Sequence, residues 1–195
     1  LGERHPINPI NSYAKNKKDI EDMLFNDAFF KKNCSTVVLR YFNPIGSHIS
    51  AIIGENYKGI PNNLMPTIIK VAKNELKYVP IFGNNFLTHD GTGVRDYIHI
   101  IDLANAHIKA LNLGKIGISI FNLGTGKGYS VLDVINTFAS VNKKKIAFKF
   151  FPRRIGDVDS VFADATLAKK IINFETKHNL EEMCHDSWAY ARKQK

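Results

Sequence analysis

The run Thr36-Val37-Val38-Leu39-Arg40-Tyr41-Phe42 leads directly into Asn43-Pro44-Ile45-Gly46. Its β-branched and aromatic residues, apolar on both faces at first, are the pattern of a buried parallel strand. Asn43-Pro44 breaks it, because proline lacks an N–H and excludes the residue before it from helical backbone. In open α/β sheets, ligands bind just beyond the carboxyl ends of strands. Phe42 and Asn43 stand at such an end. Asn43 fits two readings there, as a turn residue or as a polar contact for a ligand.

Upstream, Ser12-Tyr13-Ala14-Lys15-Asn16-Lys17 reads as a helix opening. Ser12 is the expected N-cap, and Ile20, Met23, Leu24 and Ala28 recur at helical spacing until Lys31-Lys32-Asn33 ends the helix. Tyr13 and Lys17, four residues apart, share a helix face. A free phenol, with a pKa of about 10, is a poor base at neutral pH. An adjacent ammonium favours the phenolate and brings it towards the working range. The pair is a candidate acid/base couple for a hydroxyl proton. A tyrosine on a packing edge is the plain alternative.

Downstream, Pro61-Asn62-Asn63-Leu64-Met65-Pro66 leads into a helix through Ile68, Ile69, Val71 and Ala72. Its amides are expected to cap that helix or to face a ligand. A short strand spans residues 78–82. Next comes Asp90-Gly91-Thr92-Gly93-Val94-Arg95-Asp96-Tyr97-Ile98-His99, whose Gly-x-Gly lacks the remainder of a dinucleotide fingerprint. Arg95, after a glycine turn, suits fork-like recognition of a phosphate, and equally a salt bridge with Asp96 or another acid. Asp102 is expected to cap the following helix. His99 and His107 read as structural, with no ligand set at metal spacing.

Ser119-Ile120-Phe121-Asn122-Leu123 reads as a second buried strand closed by Gly124-Thr125-Gly126, and Ser130 as the cap of the next helix. A strand over residues 146–151 follows. Pro152-Arg153-Arg154-Ile155-Gly156-Asp157 then forms a second anion grip, with Asp157 placed to neutralise an arginine or accept a ribose hydroxyl. Two helices close the chain, around residues 167–172 and 180–192. Strand–glycine turn–helix units of this kind predict an α/β chain with a doubly wound parallel sheet.

Composition narrows the classes. With 195 residues, 44% hydrophobic and 11% aromatic, the chain can bury a core, which argues against disorder or a fibre. Its 27 Lys+Arg against 18 Asp+Glu give a net charge of +9, which favours anionic partners. The excess is scattered as Lys17-Lys18, Lys31-Lys32, Lys143-Lys144-Lys145 and Arg153-Arg154 rather than gathered on a tail, so nucleic acid is not the expected partner. No apolar run reaches the roughly 18 residues of a membrane span, and no membrane partner is expected. Cys34 and Cys184 are far apart, outside metal spacing, and read as free thiols of a reducing, cytoplasmic compartment.

Taken together, and in this order, Tyr13-x-x-x-Lys17, Arg40-Tyr41-Phe42-Asn43-Pro44, Gly59-Ile60-Pro61-Asn62-Asn63-Leu64-Met65-Pro66, the string of residues 90–99, Asn122-Leu123-Gly124-Thr125-Gly126 and Arg153-Arg154-x-Gly156-Asp157 closely resemble the UDP-glucose 4-epimerases of the extended short-chain dehydrogenase/reductase group. The resemblance runs from about Tyr13 to Trp188. It implies part of a Rossmann-type sheet interleaved with a smaller C-terminal α/β substrate domain. Rossmann elements would fall at about 12–42 and 101–141, and substrate-binding elements at about 43–100 and 142–195. The family's N-terminal half, with its NAD loop and catalytic Ser/Thr, would precede Leu1.

The resemblance further implies that Tyr13 is the acid/base residue, that Lys17 holds the nicotinamide ribose, and that Phe42 lines the nicotinamide site. Asn43, Asn63 and Leu64 would contact a UDP-sugar, and the main chain at Pro80 and Phe82 would read uracil. Arg95 and Arg154 would clamp the diphosphate, Asp157 would hold the uridine ribose, and Val161 would border the hexose. NAD would be the cofactor and a homodimer the expected assembly. The implied reaction is C4 epimerisation of UDP-glucose and UDP-galactose. A sister nucleotide-sugar enzyme, a non-catalytic nucleotide sensor and a basic nucleic-acid module are the alternatives; retention of both Tyr13 and Lys17 opposes the sensor.

Overall fold

The computed structural model describes residues 1–57, 59 and 61–194; Lys58 and Ile60, which belong to the loop and motif around Gly59, lie outside the described residues. In chain order the elements are α1 (Ser12–Asn26), α2 (Ala28–Asn33), β1 (Ser35–Tyr41), β2 (Asn43–Ile45), α3 (Leu64–Ala72), β3 (Val79–Phe82), β4 (Val94–Arg95) and β5 (Tyr97–His99). They continue with α4 (Ile100–Leu111), β6 (Gly117–Leu123), β7 (Tyr129–Ser130), α5 (Val131–Asn142), β8 (Phe148–Phe151), β9 (Ser160–Val161), α6 (Thr166–Ile172) and α7 (Leu180–Ala191).

Helix starts follow side-chain chemistry, with two differences from expectation in the first helices. Asn11, not Ser12, caps α1: it is extended, and its Oδ1 accepts the Ala14 N–H at 2.8 Å. The helix expected to run to Lys31 instead breaks at Asp27, whose carboxylate accepts the Phe29 N–H at 2.7 Å and so caps α2. A local acceptor outcompetes helical continuation, as short acidic side chains do. Ser130 caps α5 in a capping box with Asp133, as its position predicts.

The strands pair mainly in parallel. β1 runs beside β6 from Ser35↔Gly117 to Tyr41↔Leu123, β2 beside β5 and β3 beside β8. β4 lies between β7, antiparallel, and β9, parallel. The result is an α/β chain built on parallel pairs, as expected. β1 departs from the buried strand expected of it: its central residues are only half-buried, since β6 is its one partner among the described residues.

Two apolar clusters hold these pairs. One joins Ile68 and Val71 of α3, Val79 and Ile81 of β3, Val134 and Phe138 of α5, and Met183 and Cys184 of α7. The other joins Phe121 and Leu123 of β6 to Ile98, Ala106, Ala168 and Phe174, with Val37 and Leu39 of β1 packed against it. Across the sequence, α5 packs with α3 and α7, while α6 packs with β6. No helix among the described residues is long and apolar enough to cross a membrane.

Candidate functional site

A cavity of about 270 Å³ opens beside β3. The Val79 and Gly83 N–H groups each donate to β8, to Ala147 O and Phe151 O at 2.8 Å. Main-chain groups alternate sides along a strand, so those of Pro80 and Phe82 point to the opposite edge. Proline belongs on such an edge because it has no N–H to leave unpaired. That edge offers the carbonyls of both residues and the Phe82 N–H.

The double-arginine turn then divides in function. The Arg153 guanidinium lies 3.7 Å from the Phe86 ring centroid and bonds Asp159 at 2.8 Å, so it is committed to structure. The Arg154 guanidinium stacks 3.9 Å from the Phe82 centroid and lines the cavity, with no carboxylate partner among the described residues. Arg95 donates to the carbonyls of Val94 and Val158 at 2.8 and 3.0 Å, and its Nη2 lies 3.7 Å from Asp157 Oδ1. Of the acids open to Arg95, the partner is Asp157, not Asp96. Asp96 is fully buried and accepts from Thr125 N, Thr125 Oγ1, Gly126 N and Ala163 N at 2.6–3.1 Å. It fastens the strand carrying Arg95 to the glycine turn after β6.

Asn63 stands at the N-cap position of α3 yet makes no side-chain capping bond. Its amide lines the cavity together with Asn43, Leu64 and Thr67. Capping, the ordinary use of such an amide, is therefore not its role here. Asn43, Asn63 and Leu64 also line an adjoining cavity of about 360 Å³, which extends to Gly46, Ser47 and Tyr97. Two guanidiniums, one carboxylate, carboxamides and an aromatic face converge around the first cavity. That set suits a ligand with an anionic centre, hydroxyls and a flat ring.

Eight of the nine residues expected to touch a nucleotide-sugar line this cavity: Asn43, Asn63, Leu64, Pro80, Phe82, Arg95, Arg154 and Asp157. Val161 does not; it pairs with Arg95 across β9 and β4. Phe42 also lies outside the cavity, half-buried, with its N–H on Leu123 O at 3.0 Å. Tyr13 is 71% exposed on α1, and Lys17 Nζ sits 5.5 Å from its ring centroid. The segment before α1 nevertheless reaches the arginine turn. Gly156 has φ +86, a region that favours glycine, and a Cβ there would come within 2.5 Å of Ile10 Cδ1.

Sequence reasoning missed several groups. Thr67, Phe86 and Val131 line the cavity without any motif to announce them. Asp102 does not cap α4: the cap is His99, whose Nδ1 accepts the Ile101 N–H at 3.0 Å. His89 Nε2 lies 3.3 Å from Asp133 and 3.5 Å from Asp90, an exposed cluster joining the loop before β4 to the start of α5. Burial disfavours the Asp90 carboxylate, but bonds from Ser130 and Thr92 outweigh it and hold the pKa below the usual carboxylate value. Both cysteines are free, and burial pushes the Cys184 thiol up to about 12.

Known proteins resemble this chain over nearly all of its length. The model of the NAD dependent epimerase/dehydratase family matches residues 2–124. A UDP-glucose 4-epimerase of Bacillus subtilis is 46% identical over 192 residues, covering 97% of this chain and 57% of that protein. One from Drosophila melanogaster is 46% identical over 96% of this chain and 55% of its own length. The chain thus spans little more than half of these relatives. Among solved structures, a Bifidobacterium longum UDP-glucose 4-epimerase in complex with NAD+ and UDP superposes with a TM-score of 0.94 at 39% identity, over 100% of this chain and 58% of that one. A Stenotrophomonas maltophila UDP-glucose-4-epimerase with bound NAD and formylated UDP-arabinopyranose gives 0.95 at 41% identity, over 99% and 58%. The chain belongs to the NAD dependent epimerase/dehydratase family.

Proposed function

We propose that this chain carries the UDP-sugar anchor and the acid/base pair of a UDP-glucose 4-epimerase, which interconverts UDP-glucose and UDP-galactose with NAD in galactose metabolism. The observation that carries the proposal is the cavity beside β3, where Arg95, Arg154 and Asp157 meet the open main-chain edge of Pro80 and Phe82. In this reading the strand edge reads uracil, Asp157 accepts a ribose hydroxyl, and the two arginines hold the diphosphate. Asn43, Asn63 and Leu64 face the sugar side.

The residues available fit one end of the cofactor. Phe42, at the carboxyl end of β1, offers an aromatic face, while Tyr13 and Lys17 present an exposed phenol and ammonium on one helix face. Lys17 would hold the nicotinamide ribose. Bound NAD would supply the reversible oxidation and reduction at C4. Tyr13 would accept the C4 hydroxyl proton and return it, a role within reach of a phenol beside an ammonium. The 4-keto sugar, tethered by its diphosphate, would turn to present its other face. Strong anchoring of UDP with a loosely held hexose suits that turn, because remote binding energy retains the intermediate.

The free cysteines support a reducing, cytoplasmic setting, and the family resemblance supports a homodimer; light scattering on the full-length protein checks the second point. The reading as a whole is tested by mixing full-length protein with UDP-galactose and following UDP-glucose. Interconversion is expected in both directions. Tight UDP binding without any interconversion would leave a nucleotide-sugar protein of another activity, and no UDP binding would remove the cavity from the account.

A further inference from the structure

His99 lies outside the chemistry described above, yet it is fully buried at the junction of β5 and α4. Its Nδ1 accepts the Ile101 N–H, so the neutral ring carries its proton on Nε2. That Nε2 is buried and makes no hydrogen bond among the described residues; Asp186 Oδ2 of α7 lies 3.4 Å away, a long contact. The ring stacks on His178, with centroids 4.2 Å apart. His178 bonds Asp102 at 2.9 Å, and Asp102, also buried, accepts from the Lys177 and His178 N–H groups at 2.9 and 3.1 Å. Asp186 receives His185 at 2.9 Å. The titratable groups around His99 are thus Asp102 of α4, Asp186 and His185 of α7, and His178 of the segment before α7.

The same ring supports the floor of the second cavity. Gly46 has φ +96, and a Cβ there would lie 2.7 Å from His99 Cδ2 and Nε2. The Gly46 N–H is held by Ser187 Oγ at 3.0 Å. Gly46, Tyr97 and Ile100 line the cavity that shares Asn43, Asn63 and Leu64 with the proposed UDP-sugar site. His99 therefore joins the cap of α4 to the turn that follows β2, the strand that opens with Asn43.

We propose that His99 is a positioning residue which works only as the neutral imidazole, so that acid loosens the β5–α4 junction and the sugar side of the cavity beside it. Chemistry requires the first half of this. An imidazolium has N–H on both nitrogens and no lone pair, so protonation turns the acceptor of the Ile101 N–H into a second donor facing it. The added charge would lie buried and stacked against His178. Asp186 and Asp102 pull the other way, but burial first and His178 second prevail, and the His99 pKa is held below its ordinary value. For a base so depressed, stability is complete above the unfolded pKa of about 6.5. It is lost as pH falls from there to the folded pKa, at up to about tenfold in the folding equilibrium per pH unit.

The test deepens the UDP-sugar reading and rests on it only in its second readout. Urea unfolding of the full-length protein is followed from pH 8 to pH 5 for wild type, His99→Asn and His99→Gln. Either variant should be less stable at pH 8 but lose less on acidification. UDP-sugar affinity should fall with acid in wild type and hold steadier in the variants. An unchanged acid slope in the variants would overturn the proposal. Loss of UDP-sugar binding at every pH would sink the substrate reading and leave the unfolding slopes to decide this one. If neither variant folds, ¹⁵N imidazole spectra of wild type decide. A neutral His99 with its proton on Nε2 at pH 6 is expected, and an imidazolium there would contradict it.

Discussion

The side of this chain proposed to hold the nucleotide and the side proposed to carry the acid/base pair are built differently. Around the cavity beside β3, α3, β3, α5 and α7 share a closed core in which Ile68, Val79, Val134 and Phe138 are at most 1% exposed. Of the proposed anchoring groups, Pro80 and Phe82 of β3 and Leu64 of α3 stand on elements of that core. On the other side, α1 has no buried residue at all. Polar contacts fasten it to β1, chiefly Arg40 with Glu21, where Nε meets Oε1 at 2.9 Å. Its Met23 and Tyr13 are each 71% exposed. In our reading, the nucleotide is gripped beside this chain's own core. Chemistry at C4, in our reading, depends on a helix whose apolar residues Tyr13, Ile20 and Met23 are exposed.

That contrast can be broken first at the chemistry. Tyr13→Phe in the full-length protein should lower turnover by about 10²–10⁴-fold, the span for a lost general acid/base, with UDP affinity unchanged by calorimetry. Near-normal turnover would remove Tyr13 from the mechanism. The contrast is next open to stability measurements. Phe138→Ala should cost about 3–5 kcal/mol in urea unfolding of the chain, whereas Met23→Ala should stay within about 0.5 kcal/mol. Equal costs would mean that α1 is packed as firmly as the core.

The smallest expected effect concerns sugar choice. UDP-glucose and UDP-galactose should be the main pair, with N-acetylated sugars accepted less well. Val161 pairs with Arg95 and lies outside the cavity wall. Val161→Tyr should therefore move the kcat/KM ratio for UDP-galactose over UDP-N-acetylgalactosamine by less than about tenfold, the low end for a pocket methylene. A hundredfold change would put Val161 in the hexose wall after all.

Much of the site could be read because its residues follow breaks in local structure. Asn43 closes a strand, and Arg95 and Arg154 follow glycine or proline turns; local chemistry marks all three. The remainder is tertiary. Nothing in Arg153-Arg154 says which arginine faces the cavity: the answer is that Phe86 and Asp159 hold one while the other stacks on Phe82. The caps of α1 and α4 were misread because competing acceptors stand one and three residues away. Asn11 wins over Ser12, and His99 displaces Asp102, which is drawn off by Lys177 and His178 some 75 residues along the chain. β1 looked buried because a parallel strand's sequence reports the sheet it is made for, whereas among the described residues β6 alone flanks it.

The central claim is that the nucleotide anchor lies in these residues, and calorimetric titration of UDP, with no sugar attached, tests it most directly. Full-length protein should bind UDP, and Arg95→Ala or Arg154→Ala should each weaken binding by about 1.5–3 kcal/mol, the range for hydrogen bonds to a charged group. Arg153→Ala, whose guanidinium is already committed to Phe86 and Asp159, should change it far less. UDP affinity indifferent to Arg95 and Arg154, or falling most with Arg153, would contradict the account.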